Sequence, residues 1–114
     1  MSPTKKRRVP RRELDARVGL LVAGKYTLAQ AHEIGEGGLL LESAVPLKKD
    51  DRLVVTLRLP GILSGVVLAT VVYQTQEGYY GLSFEKIEFD LKRKIRNYVA
   101  SSTALQKKSS TDAA

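Results

Sequence analysis

The sequence predicts a mostly β fold: a small antiparallel barrel or sandwich of six or seven short strands with one α-helix at the C-terminus. Three observations carry this expectation. Apolar and polar residues alternate over short stretches such as DRLVVTLRL (51–59), the two-residue period of a strand with one buried face. Turn signals, among them Gly24-Lys25, Pro60-Gly61 and Gln76-Glu77-Gly78, recur about every ten residues, the spacing of small all-β domains. Only beyond residue 87 does the apolar period lengthen to three and four residues, which marks an amphipathic helix.

Taken in chain order, residues 1–12 form a basic arm expected to be flexible, residues 13–100 the folded body, and residues 101–114 a loose tail rich in Ser, Thr, Lys and Ala. Arg17–Ala23 is a first apolar strand ending at Gly24-Lys25. Tyr26–Ile34 is a second, with Tyr26, Leu28, Gln30, His32 and Ile34 on one face and Thr27, Ala29, Ala31 and Glu33 on the other. The glycine-rich Gly35–Gly38 then leads into LLLES, and Pro46, Lys48, Lys49 and Asp50 mark a loop. In 51–59, Leu53, Val55, Leu57 and Leu59 share one face. Residues 62–75 are β-branched and apolar almost throughout, with Gly65 a candidate bulge or bend. Residues 79–87 alternate again, with Tyr80, Leu82 and Phe84 on one face. Ile87, Leu91, Ile95, Tyr98 and Val99 then form the apolar stripe of a helix of about 12 to 16 residues, with Lys92, Arg93, Lys94 and Arg96 between them.

A chain of 114 residues with 43% hydrophobic and 27% charged residues suits one modest core. The apolar run 61–73 is interrupted by Ser64, Gly65 and Thr70, and none approaches the ~20 residues of a spanning helix, so no membrane insertion is expected. Cysteine is absent, which excludes disulfides and thiolate chemistry and fits a cytoplasmic setting. The net charge of +7 is uneven: Lys5, Lys6, Arg7, Arg8, Arg11 and Arg12 lie in the arm without an acid, leaving 13 bases against 12 acids elsewhere. Basic residues confined to one arm argue against a surface built to grip a long duplex.

Catalytic constellations are missing. The single histidine, His32, sits mid-strand and is expected to be a packed or surface residue. No nucleophile elbow, zinc-protease helix or phosphate-binding P-loop is present, and Asp50, Asp51, Glu85 and Glu88 read as solvated charges. The chain is not expected to be an enzyme or to hold a metal or other cofactor. Two features remain. Gly35, Gly37 and Gly38 form either a tight turn using positive φ or a backbone surface that a ligand can approach closely. In the arm, Arg7 and Arg11 stand four apart, as do Arg8 and Arg12, with Val9-Pro10 keeping the segment extended. Arginines so spaced can grip phosphates and stack on bases. A solvated tail and a nuclear-localisation stretch are the other readings of PTKKRRVP.

Together, arm and glycine turn resemble the PilZ domain, the bacterial receptor module for cyclic di-GMP. That family pairs an R-x-x-x-R arm with a D/N-x-S-x-x-G turn one hairpin later, followed by further strands and a C-terminal helix. Here RRVPR (7–11) stands for the first motif and Glu33 to Gly38 for the second, 22 positions apart. The resemblance spans roughly residues 5–100. It implies a PilZ-like barrel in which Arg7, Arg8 and Arg11, or Arg12 in the alternative register, clamp the ligand while Glu33, Gly35, Gly37 and Gly38 cradle a guanine. Two positions depart from the pattern: Glu33 replaces Asp or Asn, and Gly35 replaces Ser. The resemblance further implies a single-domain effector that signals through an unidentified downstream protein. A PilZ domain acting without ligand as a protein–protein adaptor is the alternative, and nucleic-acid binding through the arm ranks third.

Overall fold

The computed structural model describes residues 11–59 and 61–113. Six strands and one helix follow in order: β1 (Arg11–Val22), β2 (Lys25–Gly35), β3 (Gly38–Ser43), β4 (Arg52–Leu59), β5 (Leu63–Gln74), β6 (Tyr80–Lys86) and α1 (Phe89–Ala113). The strands close into a barrel in the order β1-β2-β3-β6-β5-β4, with every neighbouring pair antiparallel. Closure decides for a barrel over a sandwich, and the strand number is six. It is least complete between β1 and β4, which pair only at Gly19–Leu21 with Val54–Thr56.

Local sequence sets the connections. The β1–β2 hairpin turns on Ala23 and Gly24, with φ of 51° and 79°, as a two-residue turn of the mirror-image type requires. The turn therefore sits one residue earlier than expected, and Lys25 already belongs to β2. β1 begins at Arg11, so the last two residues of the expected arm are strand; Arg7 and Arg8 lie outside the described residues.

β4 follows its alternation closely, with Leu53, Val55, Leu57 and Leu59 buried and Arg52 and Arg58 exposed. β2 does not. Ala29 and Ala31 point inward, but so does Ile34, while Glu33 turns to the surface. The pairing gives the reason: Ala31 opposes Leu41 and Glu33 opposes Leu40, so β2 carries one extra residue, His32. Such a bulge shifts the side-chain phase by one. β5 stays a single strand, and Gly65 is no bulge, since it keeps regular register opposite Leu57. A Cβ there would lie 2.8 Å from the Leu91 side chain, so this glycine makes room for the helix.

α1 packs over the barrel against β1, β2 and β5. Leu91, Ile95 and Val99 are buried, and Ile87 and Tyr98 close the margins. Each such side chain contributes about 1.5–3 kcal/mol by leaving water. Asp90 in the first turn suits the positive helix end and pairs with Arg93 at 3.1 Å. The helix continues through 101–113, where composition suggested a loose tail. That stretch holds neither glycine nor proline and includes Ala, Leu, Gln and Lys, all good helix formers. Within the barrel no described polar residue is buried. Tyr80 keeps its hydroxyl satisfied by accepting from the Leu47 N–H at 3.1 Å.

Candidate functional site

Antiparallel pairing carries the end of the arm to the glycine turn. Arg11 opens β1 opposite Gly35, the last residue of β2, and Gly35 pairs with Gly38 across the turn formed by Glu36 and Gly37. Arg11, Gly35, Gly37 and Gly38 line one cavity of about 210 Å³, completed by Tyr73 of β5 and Ser83 of β6 among others. Glu33 stands beside it, with Oε1 3.3 Å from Arg11 Nη1. Both groups are partly exposed, 37% and 24%, and pairs of this kind contribute only about 0.2–1 kcal/mol. An arriving phosphate can therefore compete for Arg11.

None of the three glycines has a positive φ, so left-handed freedom is not what they supply. Gly38 supplies closeness. A Cβ there would lie 2.1 Å from the Leu82 carbonyl oxygen, at the point where β3 runs against β6. Gly37 is exposed, and a Cβ on it would meet nothing within 4 Å. Gly35 is buried and brings no hydroxyl.

Arg12 points the other way, as the next residue of a strand must. Its guanidinium lies 3.8 Å from the centre of the Tyr98 ring and donates to the Tyr98 carbonyl at 3.0 Å. Of the four candidate arginines, the described structure thus brings Arg11 to the glycine turn and ties Arg12 to α1. The turn itself is tied to the same helix. Arg96 holds Glu36 through two hydrogen bonds, Nε to Oε2 at 3.0 Å and Nη2 to Oε1 at 3.1 Å. That fork holds the Glu36 carboxyl below its ordinary pKa and raises that of Arg96.

Three other polar residues noted in the sequence, His32, Asp51 and Glu85, have structural partners. His32 stacks on Tyr79 at 4.4 Å and meets Glu42 Oε1 at 3.3 Å. Asp51 accepts from the Lys48 N–H at 2.9 Å, and Glu85 pairs with Arg52 at 2.9 Å and accepts from the Thr70 hydroxyl. No three His, Cys, Asp or Glu side chains among the described residues are grouped to hold a metal.

Tyr73, Ser83 and the Glu36–Arg96 fork escaped the sequence reading. A signal for Tyr73 existed: it pairs with Gly81 across β5 and β6, and its ring occupies the space where a Gly81 Cβ would stand. Aromatic residues facing glycine across strands are a recognisable pair. The fork joins residues 60 positions apart and has no local signature.

The chain matches the PilZ domain family over residues 5–101. No curated protein is significantly similar in sequence. Among solved structures, the Bacillus subtilis inhibitor of motility (MotI/DgrA) superposes with a TM-score of 0.73 at 15% identity, covering 91% of this chain and 57% of that one. The K. pneumonia MrkH–c-di-GMP complex gives 0.65 at 21% identity, with 91% and 55% covered. The Borreliella burgdorferi PlzA protein in complex with c-di-GMP gives 0.60 at 13%, with 87% and 38% covered. The chain therefore spans little more than half, or less, of these three proteins.

Proposed function

This chain belongs to the PilZ domain family, and we propose that it is a cytoplasmic, non-enzymatic cyclic di-GMP receptor that signals through a partner protein. The observation carrying this reading is the convergence of Arg11, Gly35, Gly37 and Gly38 on one cavity, with the Glu33 carboxylate at its rim. Two of the similar structures are complexes with c-di-GMP.

The geometry suggests a division of labour. At about 210 Å³ the cavity is smaller than the ~300–1,000 Å³ of a site that encloses a whole ligand. The barrel thus offers room for part of a cyclic dinucleotide, such as one guanine against the open backbone of Gly37. The arm, through Arg7, Arg8 and Arg11, would hold the phosphates and stack on the bases. Ser83 brings to the same cavity the kind of hydroxyl that Gly35 lacks, and its side chain has no partner among the described residues. Glu33 would leave Arg11 and accept from guanine donors. Because Arg12 and Glu36 both fasten α1, ordering the arm or pressing on the turn would be felt by the helix, giving the site a route to a partner surface.

Isothermal titration calorimetry of the wild type and of Arg7→Ala/Arg11→Ala tests this. Saturable heat is expected for the wild type, with at least tenfold weaker binding in the double variant. Absence of heat from the wild type at high micromolar cyclic di-GMP would refute the receptor reading. One observation favours the alternative of a ligand-independent adaptor: Arg11 already has an internal anion in Glu33. Melting with and without cyclic di-GMP separates the two, since a ligand of the native state alone raises the midpoint.

A further inference from the structure

The short β1–β4 seam leaves a depression on the outer barrel wall, on the β1 side away from the glycine turn. Below the last pair, Gly19 with Thr56, no further pairing joins the two strands. The groove between them measures about 540 Å³. Its apolar walls are Tyr26, Leu28 and Ile62, which are 64%, 46% and 50% exposed. The Tyr26 ring reaches over Gly19, where a Cβ would stand 2.3 Å from its hydroxyl oxygen. Three large apolar side chains thus stand exposed around one concavity, the kind of surface on which partners dock.

The charges say what kind. Arg17 and Arg58 stand two residues beyond the Gly19–Thr56 pair on their strands, and so share its outer face and line the groove. Both therefore bring positive charge to one concavity, where the two repel each other. Every other arginine among the described residues has a carboxylate or an aromatic–carbonyl partner; the side chains of Arg17 and Arg58 have none among those residues. Asp15 at the groove's end bonds to Gln30 and leaves the lining net positive. Two arginines are too few to hold a polyanion against salt, and a concave apolar groove does not match a membrane surface.

We propose that this groove docks an acidic, apolar segment of a partner protein, with a carboxylate between Arg17 and Arg58 and an aliphatic or aromatic side chain against Tyr26, Leu28 and Ile62. The inference rests on the adaptor role and supplies its docking face, but not on nucleotide binding.

A random peptide display library selected on the immobilised full chain tests it. Recovered peptides should be enriched in Asp or Glu next to aliphatic or aromatic residues. A synthetic version should perturb amide signals at 15–19, 26–28 and 56–58. R17E/R58E should weaken its binding about tenfold or more, and Ile62→Ser should also weaken it. Cyclic di-GMP heat measured on R17E/R58E keeps this test separate from the receptor reading. The proposal is overturned by recovered peptides without acids, by binding that R17E/R58E leaves intact, or by binding mapped elsewhere. It is equally overturned if sedimentation shows the face buried in a dimer of this chain, or if phosphatidylserine vesicles but no peptides are bound.

Discussion

Gly38 and Gly37 are neighbours in one turn, yet their replacement by alanine should have opposite consequences. At Gly38 the added Cβ would stand 2.1 Å from the Leu82 carbonyl oxygen, well over 1 Å inside van der Waals contact. Backbone cannot rotate away as a side chain can, so β3 and β6 must separate. Overpacking of this kind costs about 1–3 kcal/mol. The bond from Phe84 N–H to the Gly37 carbonyl, 2.9 Å long, lies beside the clash and adds about 0.5–1.5 kcal/mol if lost. The sum, roughly 2–4 kcal/mol, corresponds to a fall in melting temperature on the order of 10–20 °C for a domain of this size. At Gly37 the Cβ meets nothing within 4 Å and φ is not positive, so Gly37→Ala should melt within about 2–4 °C of the wild type. Thermal unfolding followed by circular dichroism reads both. A Gly38→Ala protein as stable as the wild type would refute the claim that this glycine serves strand contact. So would a Gly37→Ala protein as damaged as Gly38→Ala.

Other consequences concern the helix and the first hairpin. Ile95, fully buried on the inner face of α1, should cost about 2–5 kcal/mol when replaced by alanine, seen as a lower denaturant midpoint; a shift below 1 kcal/mol would show that the helix is not anchored there. The Glu36 carboxyl is held below its ordinary pKa by Arg96, so ionisation favours the folded state. The contribution is full at neutral pH and is lost as pH falls from about 4.5 through the lower folded value. The melting difference between wild type and Arg96→Ala should accordingly be largest near pH 7 and shrink in acid, and a pH-independent difference would contradict the fork. Ala23 holds φ of 51°, which an alanine adopts at a cost and an asparagine tolerates. Ala23→Asn should raise the melting temperature by about 2–6 °C, and no rise would mean that the turn is not strained.

Much of this architecture is written in local patterns. β4 alternates without interruption, and its inward set could be named from sequence because neither Gly nor Pro disturbs Arg52–Leu59. The stripe Leu91, Ile95, Val99 likewise announces both the helix and its buried face. β2 was harder, because the bulge at His32 depends on how Ala31 and Glu33 meet Leu41 and Leu40 on another strand. That bulge brings Ile34 into the core and Glu33 out toward Arg11, the most consequential detail of the site. The placing of Arg12 against Tyr98 and of Glu36 against Arg96 has the same character: each joins residues far apart in the chain. Arg11 with Gly35, Gly37 and Gly38 was legible because one hairpin of about the right length must bring them together.

The central claim, that the cavity between Arg11 and the glycine turn receives the nucleotide, is tested most directly by titrating the isotope-labelled chain with cyclic di-GMP and following its amide signals. Saturable shifts are expected at Arg11, Glu33, Gly35, Gly37, Gly38 and Ser83, with smaller ones along α1 near Arg96 and Tyr98. Signals that stay unmoved around the turn at saturating ligand, or shifts confined to the β1–β4 groove, would contradict it.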